Sequence, residues 1–158
     1  MRLTLRLATL DDIPILIKHR RGMFEDMATL NGERYDPSGL TAMDAAYAPF
    51  ARERLNDGRM QAWVITAGDQ VAASGAILYV DWLPRPDGQK SVLAYVHSVY
   101  TEPDFRHRGL ARRILQAMID ECRARGLPRL TLHASDMGRH LYDSLGFEPT
   151  NEMRLTLD

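Results

Sequence analysis

The sequence has little cysteine, no long apolar run and no excess of either charge. Among 158 residues there is a single cysteine, Cys122, which excludes a disulfide within the chain. No apolar run approaches the length of a membrane span, and the N-terminus lacks the apolar segment of a signal peptide. The formal net charge of −1 differs from the basic excess of general nucleic-acid binders. We therefore expect a cytoplasmic protein with neither a membrane nor a nucleic acid as its partner.

The two commonest phosphate-binding loops are also missing. There is no Gly-x-x-x-x-Gly-Lys-Ser/Thr segment, which argues against a P-loop, and no Gly-x-Gly-x-x-Gly segment, which argues against a dinucleotide fold. Hydrophobic residues make up 45% and charged residues 26% of the chain, an ordinary balance for a globular protein. At this length we expect one domain over residues 1–158, and we predict no metal site.

A strand, a basic turn and an amphipathic helix follow one another in residues 95–122. Apolar residues recur at helical spacing after the turn, at Leu110, Ile114, Leu115, Met118, Ile119 and Cys122. The N-terminus of a helix presents unpaired N–H groups that bind anions, and Gly109 lets a ligand approach the backbone. This pattern is typical of a pyrophosphate site. A solvated basic corner is the alternative.

The turn and a later segment together resemble a known family. Arg106-x-x-Gly109-x-Ala111 resembles the Gln/Arg-x-x-Gly-x-Gly/Ala signature of the GNAT superfamily of acyl-CoA-dependent N-acetyltransferases. Residues 141–147, Leu-Tyr-Asp-Ser-Leu-Gly-Phe, resemble the Leu-Tyr-x-x-x-Gly-Phe ending of that family. The resemblance implies an α/β (α+β) fold with a mixed, mostly antiparallel central sheet of six to seven strands and helices on both faces. It covers residues 60–158 well and the N-terminal third only in outline.

Hydrophobic alternation and turn residues predict the order of the elements. Strands are expected at residues 3–7, 61–66, 71–80, 94–101, 129–135 and 153–157, and helices at 9–31, 41–56, 110–125 and 136–145. Pro49 predicts a kink or break in the second helix, and the Pro- and Gly-containing residues 81–91 predict a mobile loop.

Acetyl-CoA is the cofactor that the resemblance implies, with coenzyme A as product. The residues expected to bind it are Val99, Tyr100, Thr101, Arg106, His107, Arg108, Gly109, Leu110, Ala111 and Tyr142. In the family the strand splays here, and the backbone at Val99 and Thr101 would pair with the pantetheine arm. Many members carry Asn where this chain has Ser135-Asp136, and we expect Asp136 to cap the following helix.

Two side chains are candidates for catalysis. Tyr142 matches the family's tyrosine that serves as general acid for the leaving thiolate, although its ring could simply pack on the sheet. His97 lies on the strand where several members place a catalytic His or Glu, and an ordinary pKa near 6.5 suits a general base. A structural role for His97 is the alternative. His133 is a second candidate for a proton path.

The acceptor side is expected in the N-terminal third. Phe24, Glu25, Met27, Tyr35 and His133 are the candidate substrate-binding residues, and the acceptor is a small-molecule or peptide amine. Carboxylates that could attract an ammonium group are Glu25, Asp26, Glu33, Asp36 and Asp44. A helix core with a solvated acidic face is the alternative.

The resulting hypothesis is direct acetyl transfer to an amine, without a covalent acyl-enzyme, since Cys122 lies on the apolar stripe of a helix. A non-catalytic acyl-CoA-binding regulatory module is the second hypothesis, and a nucleic-acid-binding corner formed by the arginines of residues 106–113 is the third. A homodimer is expected by family analogy.

Overall fold

A five-stranded sheet forms the centre of the computed structural model, which describes residues 1–158. The elements in chain order are β1 (Leu3–Leu7), α1 (Ile13–Leu30), α2 (Pro37–Asp57), β2 (Met60–Ala67), β3 (Gln70–Asp81), β4 (Val92–Thr101), α3 (Leu110–Ala124), β5 (Leu130–Thr131) and α4 (Asp136–Ser144). The strands lie in sequence order, antiparallel from β1 to β4, and β5 pairs parallel with β4. The expected mixed, mostly antiparallel sheet is confirmed.

Each face of the sheet has its own hydrophobic core because side chains alternate along the strands. Val64 points towards α1 and α2, where it packs with Leu16 and Ala51. Its neighbour Ile65 points to the opposite face, where it belongs to the cluster of α3 that includes Ile114. Helices on both faces, as expected, bury the sheet between them.

The sheet has five strands, so the prediction of six to seven is wrong. The predicted closing strand at residues 153–157 has no regular structure, and its apolar side chains Met153, Leu155 and Leu157 are all more than 80% exposed. Alternation alone cannot form a strand, because a strand also needs a neighbouring backbone to complete its hydrogen bonds. β5 is likewise shorter than the predicted 129–135.

The second helix begins earlier than predicted. Asp36 caps α2 by accepting a hydrogen bond from the Ser38 amide at 2.9 Å, and Pro37 occupies the first helical position, where its missing N–H costs nothing. The Asp-Pro-Ser-Gly segment therefore starts the helix that the sequence pattern predicted only from residue 41. Pro49 lies inside α2 without breaking it.

Local sequence accounts for the start of α1 and for the loop before β4. A capping box formed by Thr9 and Asp12 starts a short 3₁₀ turn that leads into α1. Cys122 is buried in the core under α3, and residues 82–91 form the loop between β3 and β4. No helix combines the length and the apolar character needed to cross a membrane.

Candidate active site

A β-bulge in β4 changes which face each of the next residues occupies. Two residues of β4, Ser98 and Val99, lie opposite the single Gly75 of β3, and Ser98 has the left-handed φ of 56°. Val99 therefore packs towards α3, close to the side of Gly75 that faces Ile114. Tyr100 packs towards α1. The bulge thus gives the end of β4 an orientation that simple alternation would not predict.

Beyond the bulge, the outer edge of β4 has no strand beside it. β5 pairs with β4 only through Ala94–Leu130 and Tyr95–Thr131, and residues 132–135 leave the sheet. The backbone of β4 near Val99 and Thr101 is paired with β3 on one side only. An extended ligand can add to such an edge through backbone hydrogen bonds.

The turn after β4 leads to the N-terminus of α3. His107 and Gly109 have left-handed φ values of 62° and 73°, and Gly109 caps the helix without any side-chain cap. The amides of Leu110, Ala111 and Arg112 donate no hydrogen bond within the protein. A Cβ built on Gly109 would meet nothing within 4 Å. These free N–H groups and the helix dipole can hold an anionic group.

The arginine side chains of the basic turn make hydrogen bonds within the protein. Arg106 donates from Nε to the Thr101 carbonyl at 3.0 Å and pairs through Nη2 with Asp26 of α1 at 2.6 Å. Arg108 donates to the Asp104 carbonyl at 3.3 Å. The side chain of Leu110 is buried in the core, so only its amide can contact a ligand. Arg106 therefore holds the turn against α1, and the backbone of the turn remains the anion-binding element.

A cavity of about 690 Å³ lies between α1, α2, β4 and the segment that follows β5. Its lining is mostly hydrophobic and comprises Arg20, Met23, Phe24, Met27, Met43, Ala46, Tyr47, Phe50, Tyr95, Val96, His97, Ser98, Val99, Leu132, His133, Ala134, Ser135, Tyr142 and Arg154. An apolar cleft with a few convergent polar groups is the usual form of a small-molecule site.

Tyr142, on α4, lines this cavity. Its ring packs over Gly138, where an added Cβ would lie 2.7 Å from the ring, and edge-on to Phe147 at 5.8 Å. Burial raises the pKa of the Tyr142 phenol above its ordinary value, which keeps the hydroxyl protonated as a donor. Ser135 caps α4 through a hydrogen bond from the Gly138 amide to its Oγ, so the predicted cap at Asp136 is wrong.

His97 also lines the cavity, within a small polar network. Its Nδ1 lies 2.9 Å from Oγ of Ser98, and Arg20 donates to the same oxygen from Nη1 at 2.9 Å. Burial, reinforced by the charge of Arg20, lowers the pKa of His97 to about 4. The imidazole is therefore neutral at pH 7 and is a weaker base than an ordinary pKa of 6.5 would make it. Its catalytic role stays a prediction.

His133 has a more exposed environment. Its Nδ1 lies 2.9 Å from the Tyr95 hydroxyl, and its Nε2 lies 3.1 Å from Glu152, a residue of the C-terminal segment. Arg154 pairs with the same carboxylate at 3.3 Å. The chain Tyr95–His133–Glu152 connects the cavity to solvent and has the geometry of a proton path.

The candidate acceptor residues separate into two groups. Phe24, Met27 and His133 line the cavity, and their binding of an acceptor stays a prediction. Glu25 is exposed and pairs with Arg21 at 3.3 Å, and Tyr35 is half exposed and contacts Phe24 edge-on outside the lining. None of the five carboxylates proposed to attract an ammonium group reaches the cavity. These acids form ion pairs or caps or face solvent, and their recognition of an ammonium group stays a prediction.

Arg20 and Ser98 are polar residues of the cavity that sequence reasoning missed. Arg20 stacks on Phe24 and Tyr47, with 5.1 Å from its Cζ to each ring centroid. Its position one turn before Phe24 on α1 could have placed it on the same helix face. Nothing in the sequence indicates the bulge that brings the Ser98 hydroxyl to it.

Two related proteins are similar in sequence to part of the chain. The uncharacterized N-acetyltransferase YsnE of Bacillus subtilis (strain 168) is 30% identical over 101 residues, which are 61% of each chain. The L-amino acid N-acyltransferase MnaT of Escherichia coli (strain K12) is 31% identical over 93 residues, 57% of this chain and 52% of that protein. This chain thus spans between half and two thirds of the length of these relatives.

Solved structures match the whole fold. A GCN5-related N-acetyltransferase from Ralstonia eutropha JMP134 superposes with a TM-score of 0.88 at 27% identity, over 99% of both chains. A predicted acetyltransferase from Clostridium acetobutylicum, solved with acetyl-CoA, gives a TM-score of 0.86 at 25% identity, over 99% of this chain and 96% of that one. The sequence model of the Acetyltransferase (GNAT) family matches residues 24–147. With this match over most of its length, the chain belongs to the GNAT acetyltransferase family.

Proposed function

We propose that this protein is an N-acetyltransferase that moves an acetyl group from acetyl-CoA to a primary amine, and that residues 1–158 form a single domain for this purpose. The observation that carries the proposal is the free outer edge of β4, which leads directly to the unpaired amides of α3, beside a cavity that holds the Tyr142 phenol. The acetyl-CoA in the related Clostridium acetobutylicum structure supports the choice of cofactor.

The residues present fit such a cofactor. The amides of Leu110, Ala111 and Arg112 would hold its diphosphate, and the backbone at Val99 and Thr101 would pair with its pantetheine arm. When bound, acetyl-CoA supplies an acetyl group activated as a thioester. Tyr100, Arg106 and Leu110 contribute through the backbone or by holding the turn, since their side chains pack elsewhere.

Tyr142 holds the proton that we assign to the leaving sulfur. Its hydroxyl makes no hydrogen bond within the protein, and its raised pKa keeps it protonated at neutral pH. We assign His97 to positioning within the cavity, because a pKa of about 4 leaves it a weak base. The Tyr95–His133–Glu152 chain could carry the proton that the amine releases.

The first test of this function is an acceptor screen. Purified protein is supplied with acetyl-CoA and a panel of amines, peptides and aminoglycosides, and the release of free coenzyme A is followed. We expect acceptor-dependent release at a steady rate. A protein that binds acetyl-CoA but releases no coenzyme A with any acceptor would instead be the non-catalytic regulatory module.

Replacing Tyr142 with Phe tests the general acid. We expect kcat to fall about 100-fold or more, within the usual range for loss of a positioned acid, while the Kd for acetyl-CoA changes little. Tyr35→Phe is the matched control, because Tyr35 lies outside the cavity lining. Equal kcat in the Tyr142→Phe variant and the wild type would remove the phenol from the mechanism.

We also propose a homodimer, by analogy with the family. The exposed Met153, Leu155 and Leu157 are candidates for its contact surface. Sedimentation of the full chain, compared with a variant that carries Ser at these three positions, measures the association directly.

A further inference from the structure

Three unpartnered polar atoms belong to residues that line the cavity. Four buried side-chain polar atoms in the protein lack a hydrogen-bond partner, and three of them belong to lining residues: Nε of Arg20, Oη of Tyr47 and Nε2 of His97. These residues also contact one another. Arg20 stacks on Tyr47 at 5.1 Å, and Tyr47 lies edge-on to His97 at 6.2 Å. Buried polar groups are nearly always paired, so such a group of exceptions indicates a ligand.

All three atoms can donate a hydrogen bond. A guanidinium can only donate, so the Ser98 hydroxyl accepts from Arg20 and has its own proton to give to Nδ1 of His97. When Ser98 donates to Nδ1, the neutral imidazole carries its own proton on Nε2. Burial raises the pKa of Tyr47, so that its phenol also keeps its proton. A guanidinium beside two further groups that can donate is complementary to an anion.

The charges of the cavity have the same sign. Its lining contains two charged side chains, Arg20 and Arg154, and no Asp or Glu. Arg154 is paired with Glu152, whereas Arg20 makes no ion pair, and its one hydrogen bond, from Nη1 to Ser98, leaves Nη2 unused. A partly buried cation without a counter-ion is costly, and a bound carboxylate would offset that cost.

We propose that Arg20, Tyr47 and His97 form a subsite for a carboxylate carried by the amine acceptor. This inference rests on the proposed function, since it names the acceptor class of the same cavity. The acceptor is an amino-acid-like molecule whose carboxylate faces Arg20 and whose apolar part lies against Met23, Phe24 and Phe50. A guanidinium and a carboxylate make the strong, charge-assisted hydrogen bonds that discriminate an acid from its amide.

The subsite also favours the reactive form of the acceptor. An amine attacks only as the free base, and a nearby positive charge lowers the pKa of an ammonium group. Arg20 thus attracts the carboxylate and disfavours protonation of the amine in the same molecule. A cavity lined with carboxylates would have the opposite effect.

The test uses two product-like probes of nearly equal shape, the charged N-acetyl-L-methionine and its neutral primary amide. Each is titrated into the protein in a calorimeter, with no reaction taking place. We expect the wild type to bind the acid at least about tenfold more tightly than the amide. Arg20→Gln should lose about 10- to 100-fold in affinity for the acid and little for the amide, as expected for one charged hydrogen bond.

Two further variants separate charge recognition from folding. Arg52→Gln removes a positive charge from an exposed position on α2 that makes no ion pair, and it should keep the preference for the acid. Arg20→Lys keeps the charge and should restore part of the preference that Arg20→Gln loses. Thermal unfolding of each variant confirms that it is folded at the temperature of the titration.

The outcomes distinguish this proposal from the proposed function. The carboxylate subsite would be overturned if the wild type bound the two probes equally, bound the amide more tightly, or did not bind the acid at millimolar concentration. It would also be overturned if Arg20→Gln lost affinity equally for both probes. Coenzyme A release with amines that lack a carboxylate would then still support acetyl transfer. Failure to bind acetyl-CoA would contradict the proposed function while leaving a measured preference for the acid intact.

Discussion

Gly109 is the residue at which backbone geometry and the proposed cofactor site coincide. Its φ of 73° is left-handed, and an added Cβ would meet no protein atom within 4 Å. Gly109→Ala should therefore cost about 1 to 2 kcal/mol of stability through backbone strain. It should also weaken acetyl-CoA binding about tenfold or more, because the methyl group would crowd the amides of α3. Urea unfolding and calorimetry measure the two effects.

Gly32 provides the matched control for this variant. It has a φ of 69° and equally open surroundings, but it lies after α1, away from the β4 edge. Gly32→Ala should show a similar loss of stability and unchanged affinity for acetyl-CoA. If Gly109→Ala kept wild-type affinity, the front of α3 would not be the diphosphate site.

Cys122 should be inert in the folded protein. Burial raises the pKa of its thiol to about 11, and its side chain belongs to the core beneath α3. A thiol reagent at pH 8 should modify the native protein only as fast as it unfolds, and should label one thiol at once in denaturant. Rapid labelling of the native protein would show that this core is open, and would reopen the possibility of an acyl-cysteine.

At the scale of elements, the start of α2 gives a direct test of helix capping. The structure begins this helix after Asp36, whereas the sequence pattern predicted a start at Thr41. Asp36→Ala should lower the free energy of unfolding by about 1 kcal/mol, because the Ser38 amide loses its acceptor. Thr41→Ala, at an exposed position inside the helix, should change stability by no more than about 0.5 kcal/mol.

The strength of the sequence signal explains which elements could be predicted. The periodic apolar stripe of α3 and the Gly109 turn predicted the helix and its unpaired first amides, because local sequence determines both. The segment at residues 153–157 alternates like a strand but finds no partner edge in the chain. Whether a strand finds a sheet edge to pair with depends on the whole fold, so hydrophobic alternation in one segment cannot predict it.

The acceptor side was harder to predict for a similar reason. Acidic residues near α1 and α2 suggested recognition of an ammonium group, yet Asp26 pairs with Arg106 and Asp44 pairs with Arg21. Arg20 is the cavity arginine that makes no ion pair, and its contact with Ser98 exists only because β4 bulges there. Which charges pair and which remain free is decided by tertiary packing.

At the scale of the whole molecule, His19 on α1 and His97 on β4 make the stability of the fold depend on pH. His19 lies fully buried between α1 and the sheet, with Nδ1 2.6 Å from Oγ of Ser74 and Nε2 3.1 Å from Glu102. Burial lowers its pKa despite the raising effect of Glu102. Burial also lowers the pKa of His97, to about 4. Both imidazoles are therefore neutral in the folded protein at a pH where the unfolded chain begins to protonate them.

This difference predicts how stability depends on pH. Above pH 6.5 both states bind no proton at these histidines, and their contribution is fully present. As pH falls below 6.5, the unfolded chain binds protons at these histidines that the folded protein does not bind. The free energy of unfolding therefore falls, and for His97 the loss reaches about 3 kcal/mol near pH 4.

Urea unfolding between pH 7.5 and 4.5 measures how steeply the free energy of unfolding depends on pH. His97→Gln should flatten it, whereas His140→Gln, at an exposed position on α4, should leave it unchanged. An equal slope in the wild type and the His97→Gln variant would mean that His97 takes up its proton in the folded protein as readily as in the unfolded chain, and the neutral Nε2–H donor assigned to the acceptor subsite would then have to be abandoned.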